Sequence, residues 1–600
     1  MKKFSLLGIA AIAGLALVGC TNNGDKVETK DVYTLNKEEK VAKVSTCEIL
    51  FKNGSDVPYI SLDEGTALMS QIRQTQLDDK KYKYELTKGS EEHVIKNETG
   101  AKCTINKEKQ TLTYSDYDAF INMVPETQKP LSIVPLKKDY KALKVISQDY
   151  VQGKEFIVEL NKYPKLDVYS YGDRFYLPLS VYNSVLLNAE GNVSLAYNGK
   201  NMFVIPTGSL QTTELLPIPI LTELGTKFRE DAAKEALTQE EVEYYYQSLL
   251  FDFDYLYGLR DKFSSFEQFL ISQNQKSNFD RKDPRSLDSA TAIALTWLND
   301  GHTALSELSN LYEFLDNNID KSLGSQTLIN LENRSTAFAT TKQQAKITDG
   351  IEYKGNTAFV TFTKFTNVNH ELLYDLPKAD ELEDDITGID DTIGFDFDSL
   401  EDVLMLSNTG VLFNKLYKEL TTGEHKNDVK NIVIDLTTNE GGAADGLLYA
   451  LSTLIGNVQV NLANSLTGAS NVQVYKADMN GDGAIDEKDV SLKDLGFKIY
   501  FLDSAYSFSS ANAMPYLAKL NCPSVVTLGD KTAGGPCAVR SNLTTIGSVI
   551  CSSSLNTICK KVNDKFVNID DGIKADYPLT EAQMIDRDYI VSNIASWTSK

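Results

Sequence analysis

The rhythm of apolar and polar positions changes several times along the chain. Residues 6–18 form a short, almost unbroken apolar run behind Lys2 and Lys3. After a polar stretch, residues 44–219 show short apolar alternations rich in Tyr, Val and Ile. Examples are 57–62, 174–179 and 202–205, punctuated by Asn-Gly, Glu-Gly and Gly-Asn pairs. That rhythm predicts β-strands with tight turns. From residue 220 the apolar spacing lengthens to three and four. Thr238 before Glu240 and Glu241 is a helix-start signal, followed by Tyr244, Leu249, Leu250, Phe253 and Tyr257 on one face. A second helix is predicted over 287–298. Beyond residue 350 strand and helix patterns alternate: strands at 357–363, 431–436, 498–502 and 524–528, and helices at 402–420, 446–455 and 510–520. Such alternation predicts an α/β core.

These patterns divide the 600 residues into a leader (1–19), a flexible linker (20–43), a β-rich N-terminal domain (44–219), a helical subdomain (220–335) and an α/β core (336–600). The leader has the positive end, short apolar stretch and small residues of a secretory signal, and is too short for a span of roughly 20 residues. It ends in Leu17-Val18-Gly19-Cys20, which resembles the lipobox of bacterial lipoproteins. That resemblance implies a lipid on Cys20, palmitate among its acyl chains, and a body tethered outside the cytoplasm at a membrane.

Charge and cysteine content narrow the classes. A net charge of −23 without a basic cluster excludes a nucleic-acid partner. Besides Cys20 there are six cysteines, an even number that outside the cytoplasm permits disulfides, for example Cys47 with Cys103 and Cys551 with Cys559. Residues 380–402 carry 11 carboxylates and no basic residue, the pattern of a solvated loop.

Three segments of the core carry candidate chemistry. A buried-strand run ends in Asn439-Glu440-Gly441-Gly442, where paired glycines let backbone N–H groups face a developing negative charge. Ser507-Phe508-Ser509-Ser510-Ala511-Asn512 lies between a strand and a helix, so a serine there meets the unpaired N–H groups of a helix N-terminus. Gly529-Asp530-Lys531-Thr532-Ala533-Gly534-Gly535 forms the next turn.

In this order the segments resemble the tail-specific, or C-terminal-processing, serine peptidases, over about residues 285–590. The resemblance implies a crotonase-like ββα core and acyl-enzyme hydrolysis of peptide bonds. It places the nucleophile at Ser510, ahead of Ser509, because Ser510 precedes Ala511, and the oxyanion donors at the N–H groups of Gly442 and Ala511. The chain departs from the lysine-dependent members: their general base falls at Gly535, and Lys531 occupies a non-catalytic position. It is similar instead to the tricorn-like branch, whose histidine lies in an Asp-Gly-His-Thr segment. Here Asp300-Gly301-His302-Thr303 makes His302 the base, a residue type that titrates near neutrality. Asp570, ahead of Asp571, is the acidic third member that the resemblance implies. The alternative reading is a decayed peptidase fold acting as a calcium-dependent binding or adhesion protein, favoured by the missing lysine and by Ala513 where the family carries Glu.

A last motif stands apart. Asp478, Asn480, Asp482, Ala484, Asp486 and Asp489 fall at positions 1, 3, 5, 7, 9 and 12 of an EF-hand-type loop, with Gly483 at the sharp turn. The loop 478–489 resembles those of dockerins and predicts one structural Ca²⁺.

Overall fold

The computed structural model describes residues 24–35, 40–76, 83–121, 128–134, 136, 140–187, 193–207, 222–232, 236–309, 311, 326–374 and 407–598. The leader, Cys20 and the acidic stretch 380–402 lie outside the described residues.

A six-stranded sheet organises the C-terminal half. Strand Gly350–Lys354 is antiparallel to Thr357–Thr361, and from there Asn431–Asp435, Lys498–Asp503, Val526–Gly529 and Tyr577–Pro578 follow in parallel. The central strands are buried on both faces, as a parallel sheet covered on both sides requires. Side chains divide between the faces with period two. Val360, Ile432, Ile434 and Phe501 pack under helices Thr409–Thr421, Ala444–Ile455 and Ser510–Asn521. Phe359, Val433, Tyr500 and Leu528 pack against Phe338 of helix Gln326–Gln344 and against Ile590, Ile594 and Trp597 at the C-terminus. The sequence pattern anticipated this α/β core. Of the helix expected over 402–420, residues 402–406 lie outside the described residues; Thr409–Thr421 is a helix capped by the Asn408 side chain, which accepts from the Val411 N–H.

A seven-stranded sheet lies beside it, built on the long strand Val549–Val562. Ala304–Glu307, Val458–Asn464, Cys537–Leu543 and Lys565–Asn568 pair with that strand, and Ser470–Ala477 continues the sheet to Leu143–Val151. This last pairing corrects the expected division of the chain. A strand from 44–219 completes a sheet of the core, and one hydrophobic cluster joins Ile49, Tyr182, Val242, Leu295 and Ile550. The N-terminal region and the helical subdomain therefore share a core. Local pattern identifies strands but not partners this distant in sequence.

Two further expectations are corrected. Within the expected linker 20–43, Lys26–Leu35 is a strand, antiparallel to Val41–Phe51 and parallel to Met202–Ile205. Its burial on pairing supplies the order that its polar composition alone does not. Cys551 and Cys559 lie on the one strand Val549–Val562. At about 3.3 Å per residue they stand roughly 26 Å apart, beyond any disulfide. All six described cysteines, Cys47 and Cys103 included, are free thiols.

The helix expected at Thr238 is Gln239–Leu256, opened by a capping box in which Thr238 accepts from the Glu241 N–H and Glu241 accepts from the Thr238 N–H. The helix expected over 287–298 is Pro284–Thr296, capped by Asp283, and leads directly into the Asp300 loop. Among the described residues no helix is long and apolar enough to cross a membrane.

Candidate active site

The site lies where three chain turns meet at the C-terminal ends of the parallel strands, the usual position for chemistry in an open α/β sheet. The first turn leaves strand Asn431–Asp435. Asn439 anchors it: its Nδ2 donates to the Phe362 carbonyl at 2.9 Å and its Oδ1 accepts from the Gly441 N–H at 2.9 Å. The segment Phe365 then brackets Gly442, donating its N–H to the Gly441 carbonyl (2.7 Å) and accepting from the Ala443 N–H (2.8 Å). The Gly442 N–H between them has no acceptor among the described residues. Gly442 has φ +124°, and a Cβ there would sit 2.1 Å from the Phe365 carbonyl oxygen, so only glycine fits.

The second turn joins strand Lys498–Asp503 to helix Ser510–Asn521. Ser509 is its N-cap with φ +56° and ψ −119°, a conformation that non-glycine residues rarely adopt. Its backbone is over-determined. The Ser509 N–H donates to the Gly534 carbonyl (2.9 Å), and the Phe508 N–H donates to the Asn439 carbonyl (3.2 Å). The Ser509 side chain is half-buried and makes no capping bond. Ser510 is the first helical residue, 8% exposed, and its hydroxyl donates to the Gly442 carbonyl at 2.8 Å. The Ser510 N–H has no acceptor among the described residues, whereas the Ala511 N–H donates to the Phe508 carbonyl at 2.9 Å. The expected oxyanion donor Ala511 is thus occupied, and the idle N–H next to the helix start is that of Ser510.

The third turn carries Gly534 and Gly535. A Cβ at Gly535 would lie 2.5 Å from the Phe508 ring, and one at Gly301 would lie 2.7 Å from it. The Phe508 ring thus occupies the space that a side chain at position 535 would need. His302 packs on the same ring, with centroids 4.6 Å apart. The structure thus brings the Asp-Gly-His-Thr loop against the residue preceding Ser509.

His302 is 3% exposed, and its Nδ1 has no partner among the described residues. Its loop is tied by Asp300, which accepts from the His302 N–H (3.0 Å), the Thr303 hydroxyl (2.6 Å) and the Tyr257 hydroxyl (3.0 Å). Burial pushes the His302 pKa below its ordinary value, while the charges of Asp300 and Asp570 oppose that shift. Asp570 is half-buried; its Oδ1 accepts from the Gly535 N–H at 3.2 Å and its Oδ2 lies 3.5 Å from the Lys262 ammonium. Asp571 and Lys531 are exposed.

The loop 478–489 falls in the connection between strands Ser470–Ala477 and Lys498–Asp503. Asp478 and Asp489 are buried and collect backbone N–H groups: Asp478 from Gly481, Asp482 and Gly483, and Asp489 from Met479, Asn480 and Asp486. Asp482 accepts from the Ala484 N–H, and the Lys488 ammonium lies 3.6 Å from Asp482 and 3.7 Å from Asp486. Gly481 and Gly483 have φ of +71° and +86°, the turns the pattern demands. Among the described residues no three acidic, imidazole or thiol groups gather as a metal cluster.

The sequence reading ranks Ser509 second to Ser510 and does not single out the Ser510 N–H. The signal was present as the adjacent pair Ser509-Ser510, but only the backbone dihedrals distinguish its members. Comparison with known proteins agrees with the placement of this core. Residues 396–578 match the model of peptidase family S41. No curated protein is similar to the chain. Among solved structures, a lipoprotein from Streptococcus agalactiae is similar at 11% identity and a TM-score of 0.33, over 59% of this chain and 96% of its own. A putative peptidase from Parabacteroides merdae is similar at 16% identity and a TM-score of 0.33, over 54% of this chain and 87% of its own. The photosystem II D1 C-terminal processing protease is similar at 19% identity and a TM-score of 0.24; the match spans 31% of this chain and 43% of that protein's length.

Proposed function

We propose that this chain is a serine-type peptidase in which Ser509, rather than Ser510, is the nucleophile and His302 the general base, on a core of the crotonase-like kind. The match of residues 396–578 to peptidase family S41 supports the reaction class. The observation that carries the site is the backbone of Ser509: a strained positive-φ serine at a helix start, with the idle N–H of the next residue, Ser510, and that of Gly442 on the turn packed against it. A strained strand-to-helix turn of this kind exposes a nucleophile, and the N–H of the following residue serves its oxyanion. Ser510 is less suited, because its hydroxyl is buried and bonded to the Gly442 carbonyl.

In this mechanism neutral His302 takes the Ser509 hydroxyl proton as Oγ attacks the peptide carbonyl carbon. The oxyanion forms against the Gly442 and Ser510 N–H groups. Collapse breaks the C–N bond, and the imidazolium returns the proton to the leaving amine. Water, deprotonated in turn by His302, releases the acyl group. Asp300 orients the histidine loop, and Asp570 stabilises the imidazolium by its charge. A fluorophosphonate probe tests the assignment. The mass of the labelled peptide should place the phosphonyl group on Ser509, and Ser509→Ala should abolish labelling. A label on Ser510 would reverse the assignment.

Two further parts belong to this reading. Cys20 is proposed to carry the lipid anchor. Because Lys26 already begins a strand, the tether is reduced to residues 21–25, at most about 18 Å at 3.6 Å per residue. Detergent partitioning that is unchanged in Cys20→Ala would refute the anchor. The loop 478–489 is proposed to bind Ca²⁺ through Asp478, Asn480, Asp482, the Ala484 carbonyl, Asp486 and Asp489. The twelve-residue pattern and its two glycine turns support this.

A further inference from the structure

Directly beneath the site lies a buried group of charges that the mechanism does not use. Asp435, the last residue of the central strand, is 1% exposed. Two cations from outside the strand reach it. Arg587, at the start of helix Arg587–Asn593, donates from Nη2 to Asp435 Oδ2 at 2.7 Å and to the Thr361 hydroxyl at 3.1 Å. Its guanidinium stacks 4.4 Å above the Phe359 ring. Lys342, at the end of helix Gln326–Gln344, places Nζ 3.3 Å from Asp435 Oδ1, 2.9 Å from the Thr437 hydroxyl and 3.1 Å from the Thr438 hydroxyl. Asp435 Oδ1 also accepts from the Thr437 N–H (3.1 Å) and hydroxyl (2.6 Å). Burial alone would raise the Asp435 carboxyl; the two cations hold it well below the usual range, so it stays charged.

A buried ion group is costly to assemble and does not by itself argue for stability. Its connections point elsewhere. The turn that Asp435 grips through Thr437 accepts three hydrogen bonds from the segment 504–508 that leads to the site. The Leu436 carbonyl accepts from the Ser507 hydroxyl (2.7 Å), the Thr437 carbonyl from the Ser504 hydroxyl (2.6 Å), and the Asn439 carbonyl from the Phe508 N–H (3.2 Å). The same turn continues through Asn439 and Gly441 to the idle Gly442 N–H. One rigid turn thus supports both the loop that presents Ser509 and the segment that presents an oxyanion donor.

We propose that Lys342 and Arg587 are positioning residues, which clamp Asp435 and through Thr437 hold the 436–442 turn so that the Gly442 N–H and the Ser509 loop keep their register. The inference rests on the peptidase reading. It makes the C-terminal helix, remote from the site in sequence, a determinant of the chemical step. Neither cation touches the reacting atoms, so their loss should slow the step without weakening encounter with the acylating agent.

The test is labelling by a fluorophosphonate probe, analysed for maximal rate kinact and half-saturating concentration KI, on full-length wild type, Arg587→Met, Arg587→Lys, Lys342→Met and Thr437→Val. Each single cation loss leaves Asp435 one positive partner, and Thr437→Val keeps the side-chain shape while cutting the hydroxyl link. A displacement of about 1 Å costs roughly 10²-fold. The expected result is a roughly 10- to 100-fold fall in kinact with KI within about twofold of wild type, and partial recovery in Arg587→Lys. If Arg587→Met or Lys342→Met loses its cooperative melting transition, Thr437→Val decides. Folded variants that label at the wild-type kinact, or that change KI alone, overturn the clamp and leave the peptidase reading intact. A wild type that takes no label removes that reading and the clamp with it.

Discussion

Replacing Gly441 by alanine should slow acylation about 100-fold while leaving the fold standing. The added Cβ would lie 2.5 Å from the Ser509 Cβ, 2.8 Å from the Phe508 carbonyl oxygen and 3.0 Å from the Ser509 Oγ. Carbon atoms pack at about 3.5–4.0 Å, so Ser509 and the turn must separate by about 1 Å or more. The Phe508 oxygen cannot yield independently, because it accepts the Ala511 N–H that begins the helix. Gly441 also has φ +101°, which costs a non-glycine residue on the order of 1–3 kcal/mol. Misplacing a nucleophile by about 1 Å costs roughly 10²-fold, or about 2.7 kcal/mol in the barrier. The assay is kinact for a fluorophosphonate probe, with the melting temperature measured in parallel. The strain should lower the melting temperature modestly, whereas kinact should fall about a hundredfold, in line with the displacement. A folded Gly441→Ala that labels within about threefold of wild type would refute the placement of Ser509 against this turn, since a 1 Å displacement predicts far more.

Three other outcomes follow from the same geometry. Burial lowers the His302 pKa, so the base stays neutral below the ordinary histidine range of about 6.5. Labelling should persist under mildly acid conditions and disappear as pH falls through the folded-state value; an acid limb above 6.5 would contradict the buried placement. The same sign applies to stability, since the unfolded chain takes up the proton first and the folded state is penalised only as pH falls below the unfolded value. Arg540 and Asp252 form a buried pair at 3.0 Å, 2% and 4% exposed. Arg540→Met should cost about 3–5 kcal/mol by leaving the carboxylate uncompensated, and adding Asp252→Asn should recover part of that loss in a urea titration. Calcium at 100-fold excess over its Kd should stabilise the chain by about 2.7 kcal/mol; the effect should vanish in Asp482→Ala, and a melting temperature indifferent to calcium would eliminate the site.

Much of the core was legible in the residues themselves. Apolar runs of five or six followed by amphipathic segments identify the strands and helices from residue 357 to 528, because burial on both faces of a parallel sheet writes itself into composition. The capping box at Thr238 was visible for a similar reason, since its two bonds span three residues, and the loop Asp300-Gly301-His302-Thr303 was visible as a four-residue motif, although Tyr257 and Phe508 fix it from a distance. Tertiary structure decided what lies beyond that range. It paired Leu143–Val151 with Ser470–Ala477 and so merged regions that local rhythm separates. It ordered Lys26–Leu35 by giving it two strand partners. It closed position 535 with the Phe508 ring, and it distinguished Ser509 from Ser510 through backbone dihedrals that contacts with Gly534 and Asn439 impose. Lys342 and Arg587 carry no motif at all; only folding brings them, from either side of the strand in sequence, to one buried carboxylate. Short-range order is set by side-chain chemistry and periodicity, whereas the choice of partner across hundreds of residues is made by the packing of the whole chain.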